Sequence, residues 1–286
     1  MCDHKFQCLI GLIAVVILVN ETQGSVESNG PKGISSIGLV DADGQLLNGD
    51  GIAIGQVEPG RPGKLVSDGG PDNAQHANAA IVPAGVFLRN ENAIANLNVE
   101  TADGHAEFVA GVMISTATTA PVGQSPPTGV ATEALLYGSA DGDTGPNFDA
   151  NSALSAQHLT NVAPVRSVNM SFGNELEGSH VVDGNSLLTL FVDWSATQHN
   201  VLYVVAGNEF FLGVPGGPIP TDNFNGMVIA TSEKTVDGFY RKVADRNAYA
   251  DVVGSNRTVT SLMAPGEAID DVPPVVESWR SAPVVL

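Results

Sequence analysis

Seven short apolar runs constrain this chain more than any other feature: GIAIGQV (51–57), AGVFLR (84–89), EALLYG (133–138), VRSVNMSF (165–172), VLYVVAG (201–207), GMVIATS (226–232) and SLMAPG (261–266). Their hydrophobicity is nearly continuous rather than alternating. That is the pattern of strands buried on both faces, and hence of a parallel sheet. Helix-compatible segments stand between them. HAEFVAGVMISTAT follows one run, and GNSLLTLFVDWSATQHN (184–200) precedes another. The second groups Leu187, Leu188, Phe191, Val192, Trp194 and Ser195 at helical spacing, with Asn200 as a stop signal. This alternation predicts an α/β domain with a doubly wound, mainly parallel sheet flanked by helices. No internal repeat or low-complexity linker divides the chain, so one domain is expected. At 286 residues, 43% hydrophobic and 15% charged, it has the apolar content for a sizeable core.

The N-terminal segment is expected to stand outside that domain. Lys5 precedes CLIGLIAVVILV (Cys8 to Val19), and NETQGS follows with small residues around Gly24. This reads as a secretory signal peptide over residues 1–24. The competing reading is an uncleaved membrane anchor, but the apolar run is shorter than the ~20 residues a spanning helix needs. Residues 25–48 then form a polar, Gly-rich lead-in, and 49–286 the main domain. A secreted or extracytoplasmic location follows, without a stable membrane anchor after cleavage. Both cysteines, Cys2 and Cys8, fall in the signal segment. The mature chain therefore has no disulfide, cysteine nucleophile or thiolate metal site. The formal net charge of −19 becomes −18 once Asp3, Glu21 and Lys5 are removed, which argues against nucleic-acid binding.

In open α/β sheets ligands bind beyond the carboxyl ends of the strands. Three residues meet that expectation: Glu58 closes GIAIGQVE, His105 opens the small-residue helix, and Asn208 closes VLYVVAGN. A carboxylate, an imidazole and an amide so placed are parts of an acyl-transfer site. Singly, each reads as readily as a cap, a turn or a structural histidine.

Their surroundings resemble those of the subtilisin-like serine proteases, the subtilases. IGQVEPG resembles the family's Asp box, and HAEFVAGVM the His box H-G-T-H-V-A-G. GVATEALLYG is similar to the strand G-V-A-P-x-A-x-L, and VNMSFG to the substrate-binding segment N-M-S-x-G. VVAGNE resembles the oxyanion Asn box, and NFNGMVIATS with LMAPGE the stretch leading to the nucleophile. The six fragments keep the family's order. The resemblance implies a subtilisin-like fold and hydrolysis of peptide bonds in a peptide or protein substrate. It implies His105 as general base, Glu58 as the carboxylate orienting it, and Asn208 as donor to the oxyanion. Ser171, Phe172 and Gly173 would line the peptide-binding edge.

The chain departs from the family pattern in three places. Glu58 replaces the family's Asp. Ala106, Glu107 and Phe108 replace Gly, Thr and His in the His box. After APGE the family reaches G-T-S-x-A-x-P, with the nucleophilic Ser four residues before Pro. Here alignment on Ala282-Pro283 puts Trp279 at that position, with Ser278 five and Ser281 two residues before Pro283. Ser278 and Ser281 are thus weak nucleophile candidates, and the chain reads as truncated before or at the nucleophile box. Two function classes follow: a secreted serine endopeptidase, or a catalytically dead, peptide-binding homologue. No cofactor is expected. Calcium is the one softer idea, from the carboxylate-rich turns DADG (41–44) and DGDTG (141–145), with no ligands assigned.

Overall fold

The computed structural model describes residues 29–30, 34–36, 38–62, 80–89, 104–117, 128–141, 147–173, 183–207, 219–242 and 260–265. In chain order the elements are β1 (Ala53–Glu58), β2 (Gly85–Leu88), α1 (Gly104–Ile114), β3 (Leu135–Ala140), α2 (Phe148–Val162) and β4 (Val165–Met170). They continue with α3 (Leu187–His199), β5 (Leu202–Ala206), β6 (Met227–Lys234), β7 (Tyr240–Lys242) and β8 (Leu262–Pro265). Each of the seven apolar runs contains or overlaps a strand.

The sheet order is β2-β3-β1-β4-β5-β6 with every pairing parallel, and β8 adds to β6 in parallel. The short β7 pairs antiparallel with the end of β6. From β1 the chain lays β2 and β3 on one side and β4, β5 and β6 on the other. The carboxyl end of β1 therefore lies at the switch in winding direction, where such sheets open a crevice.

Helices cover both faces, as the doubly wound expectation required. On one face α1 packs Val109, Ala110 and Met113 against Ile54 and Leu136. On the other, α2 and α3 pack Leu159, Leu188 and Val192 against Ala53, Val57, Val168 and Tyr203. All six residues of β1 are buried, polar Gln56 and Glu58 included.

The end of α3 agrees with the stop signal at Asn200. Ser186 caps the start, its hydroxyl accepting the Thr189 N–H, and Asn200 ends the helix in the left-handed conformation at φ 51°, ψ 49°.

The polar cluster GSADGDTGPNFDANS (138–152) reads in sequence as a loop, which the structure corrects: Phe148 to Ser152 is the first part of α2, a helix of 15 residues. Its buried face carries Ser152, Ser155 and His158 beside Phe148, Ala156 and Leu159, so no apolar stripe marks it. The serines are paired: Ser152 Oγ donates to Asp141 Oδ2 at 2.7 Å and Ser155 Oγ to the Ala140 carbonyl at 3.1 Å. His158 meets the Phe87 ring edge-on at 4.7 Å, and burial pushes its pKa below the usual histidine value.

Candidate active site

Glu58 is the last residue of β1 and is 1% exposed. His105 is the second residue of α1. Its Nδ1 lies 3.0 Å from Glu58 Oε2, with the imidazole 24% exposed and the carboxylate beneath it. An ionised carboxylate only accepts, so Nδ1 carries the hydrogen and Nε2 of the neutral ring keeps its lone pair. Glu58 Oε1 is buried without a hydrogen-bond partner among the described residues. The imidazole is therefore the side-chain donor that this carboxylate meets.

Local sequence explains why the histidine stands there. Ala106, Val109, Ala110 and Met113 are fully buried, so the helix lies close on the sheet. At Gly111 a side-chain carbon would come within 3.2 Å of Ile81 Cδ1, so the glycine permits that approach. Glu107 places a carboxylate in the first turn, where the helix dipole favours negative charge.

The backbone at the end of β1 is tied on its other side. Asp141 N–H donates to the Glu58 carbonyl at 3.0 Å, and Arg89 Nε donates to the Asp141 carbonyl at 2.6 Å. Arg61, in the turn after β1, is fully buried.

The substrate-edge candidates lie one strand away. Val57 pairs with Met170, so the chain past β4 brings Ser171 level with Glu58 and continues into Phe172 and Gly173. Ser171 is buried and its Oγ accepts from Asn169 Nδ2 at 2.8 Å. Phe172 turns its ring into the core, edge-on to Phe148 at 5.1 Å, and Gly173 is half-buried. Asn208, Ser278 and Ser281 lie outside the described residues, as does the 1–24 segment.

Sequence reasoning missed Gln56. Two residues before Glu58 and fully buried, it donates from Nε2 to the Ala106 carbonyl at 2.8 Å, joining β1 to the turn of α1 that carries His105. A polar residue inside an otherwise apolar strand was the available signal.

Among the described residues no group of three or more His, Cys, Asp or Glu side chains gathers as a metal site. Within DADG, Asp41 Oδ1 accepts the backbone N–H groups of Asp43 and Gln45 at 2.9 Å each, capping its own turn. Asp141 opens the second acidic turn and is buried against Ser152; residues 142–145 lie outside the described residues. Among the described residues no helix is long and apolar enough to cross a membrane.

No family model matches the chain, and no curated protein matches it. Solved structures do. The MycP3 protease from the type VII (ESX-3) secretion system superposes at a TM-score of 0.53, with 16% identity over 87% of this chain and 65% of that one. A point mutant of the protease domain of PatA gives 0.52, with 16% identity over 78% of this chain and 70% of the other. The fold is subtilisin-like. At these identities the likeness is one of fold, and this chain spans just under two thirds of the length of the MycP3 structure.

Proposed function

We propose that the chain is a secreted subtilisin-like serine endopeptidase that hydrolyses peptide bonds through an acyl-enzyme. The observation that carries this reading is the 3.0 Å bond from His105 Nδ1 to the buried Glu58 carboxylate, at the switch point of a subtilisin-like sheet. A buried acceptor fixing one ring nitrogen, with the other left basic, is the arrangement that activates a hydroxyl nucleophile.

In the proposed cycle a serine Oγ attacks the carbonyl carbon of the scissile peptide while its proton passes to His105 Nε2. Glu58 holds the ring and stabilises its charged form. Asn208 donates to the oxyanion of the tetrahedral intermediate, and the backbone of Ser171–Gly173 pairs with the extended substrate as an added strand. Collapse breaks the C–N bond, and His105 returns the proton to the leaving amine. Water then repeats the sequence on the acyl-enzyme: His105 takes its proton, and the serine leaves with that proton restored. Ser278 and Ser281 are the candidates for the nucleophile. The substrate is a peptide or protein outside the cytoplasm.

A second reading rests on one sequence observation: neither Ser278 nor Ser281 stands four residues before Pro283. On that reading the cleft binds peptides without cleaving them. Release of peptides from denatured casein by the purified mature chain, compared with His105→Ala, separates the two. Turnover lost in the variant supports the endopeptidase. Casein that binds and stays intact with both proteins refutes it and favours the peptide-binding homologue.

A further inference from the structure

We propose that Gln56 is a positioning residue whose amide sets the reach between Glu58 and His105; its catalytic meaning rests on the endopeptidase reading, its geometry does not. Its placement is the first argument. Gln56 and Glu58 are two apart on β1, so both project from the face of the sheet that α1 covers. Nε2 donates at 2.8 Å to the carbonyl of Ala106, the residue next to His105. One strand thus holds both the carboxylate that receives the ring and the amide that holds the ring's backbone.

The second argument is that this amide is an unfavourable choice for packing alone. Gln56 is fully buried, and its Oε1 has no hydrogen-bond partner among the described residues. A buried polar atom left unpaired lowers stability, and an apolar side chain of the same shape avoids that loss. Every other residue of β1 before Glu58 is Ala, Ile, Gly or Val. Local departures from packing logic concentrate where position serves a site.

The third argument is directional. Helix α1 is otherwise held to the sheet by Val109, Ala110 and Met113 against Ile54 and Leu136. Apolar packing fixes separation from the sheet but tolerates small slides along it, because it is non-directional. The Gln56 bond is directional and acts within one residue of the ring. It registers the first turn of α1 along β1, and so the Nδ1–Oε2 distance.

The test is the imidazole signature of His105 in the mature protein with 15N-labelled histidine, in Gln56→Met and Gln56→Asn. Methionine keeps the length without the donor; asparagine keeps the amide but falls one methylene short. The expected result is a downfield Nδ1–H resonance in wild type that exchanges with water about tenfold faster in both variants, as for a charge-assisted hydrogen bond partly lost. Thermal unfolding of Gln56→Met is expected at or above the wild-type midpoint, since the unpaired carbonyl is gone. An unchanged Nδ1–H signal in either folded variant overturns the proposal. Failure of both variants to fold also overturns it, because Gln56 is then a folding determinant. The Glu58→Gln variant gives the reference for a lost pair. A normal His105 signal in a protein without casein turnover sinks the endopeptidase reading and leaves the Gln56 result standing.

Discussion

Replacing Glu58 by aspartate restores the residue type that the subtilase resemblance calls for, and the structure predicts that it impairs the site. The change removes one methylene, about 1.5 Å of reach. His105 does not follow inward easily. Ala106, Val109 and Ala110 are already fully buried, and Gln56 holds the Ala106 carbonyl at 2.8 Å. The Nδ1···O separation of 3.0 Å then opens to about 4 Å. At an effective dielectric constant of about 20, that opening weakens the stabilisation of a protonated ring by about 1.4 kcal/mol. With the poorer hydrogen-bond angle included, the loss is about 1.5–3 kcal/mol, or roughly 10- to 150-fold in the rate of the step that charges the imidazole. The missing methylene also costs about 0.5–1.5 kcal/mol of stability. The assay is the pseudo-first-order rate of fluorophosphonate labelling of Glu58→Asp against wild type, beside thermal unfolding of both. An aspartate variant that labels as fast as wild type, or faster, refutes the claim that the backbone here is built for glutamate.

Other outcomes follow from the same geometry. His158 has its pKa lowered by burial, so the folded state favours the neutral ring; stability is complete above the unfolded value of about 6.5 and falls as pH drops from there through the lowered folded value. Denaturant unfolding at pH 7.5 and pH 5 is expected to show a smaller acid loss in His158→Leu than in wild type. Leu159 is fully buried between α2 and the sheet, so Leu159→Ala is expected to lower the unfolding free energy by about 2–5 kcal/mol in urea titration. Asn200 ends α3 at φ 51°, so Asn200→Gly is expected to hold stability while Asn200→Val lowers it by about 1 kcal/mol or more, read as a shift in Tm.

The strands were legible because parallel strands buried on both faces are mainly apolar, plainly in β5 (LYVVA) and, apart from Gln56 and Glu58, in β1 (AIGQVE). Helix α3 was legible because its apolar residues fall at helical spacing and Asn200 marks its end. Helix α2 was hidden because Ser152 and Ser155 satisfy their hydroxyls inside the fold, on Asp141 and on the Ala140 carbonyl, and a buried serine looks the same in sequence as a solvated one. At the candidate site, local motifs singled out Glu58 and His105, and the fold brings the two into contact across 47 positions of sequence. A polar residue inside an apolar strand marked Gln56 as unusual, but its partner was not legible, since the bond to the Ala106 carbonyl spans 50 positions of sequence. Nor was the burial of the Phe172 ring, which follows from its meeting with Phe148 rather than from its position beside Ser171.

The most direct test of the central claim, that Glu58 and His105 activate a serine, is mass-spectrometric mapping of fluorophosphonate adducts on the purified protein. The account predicts one modified serine, at Ser278 or Ser281, with labelling abolished in His105→Ala while the fold is retained. A wild-type protein that is folded, carries the Nδ1–H signature of the Glu58–His105 pair and takes up no label contradicts it.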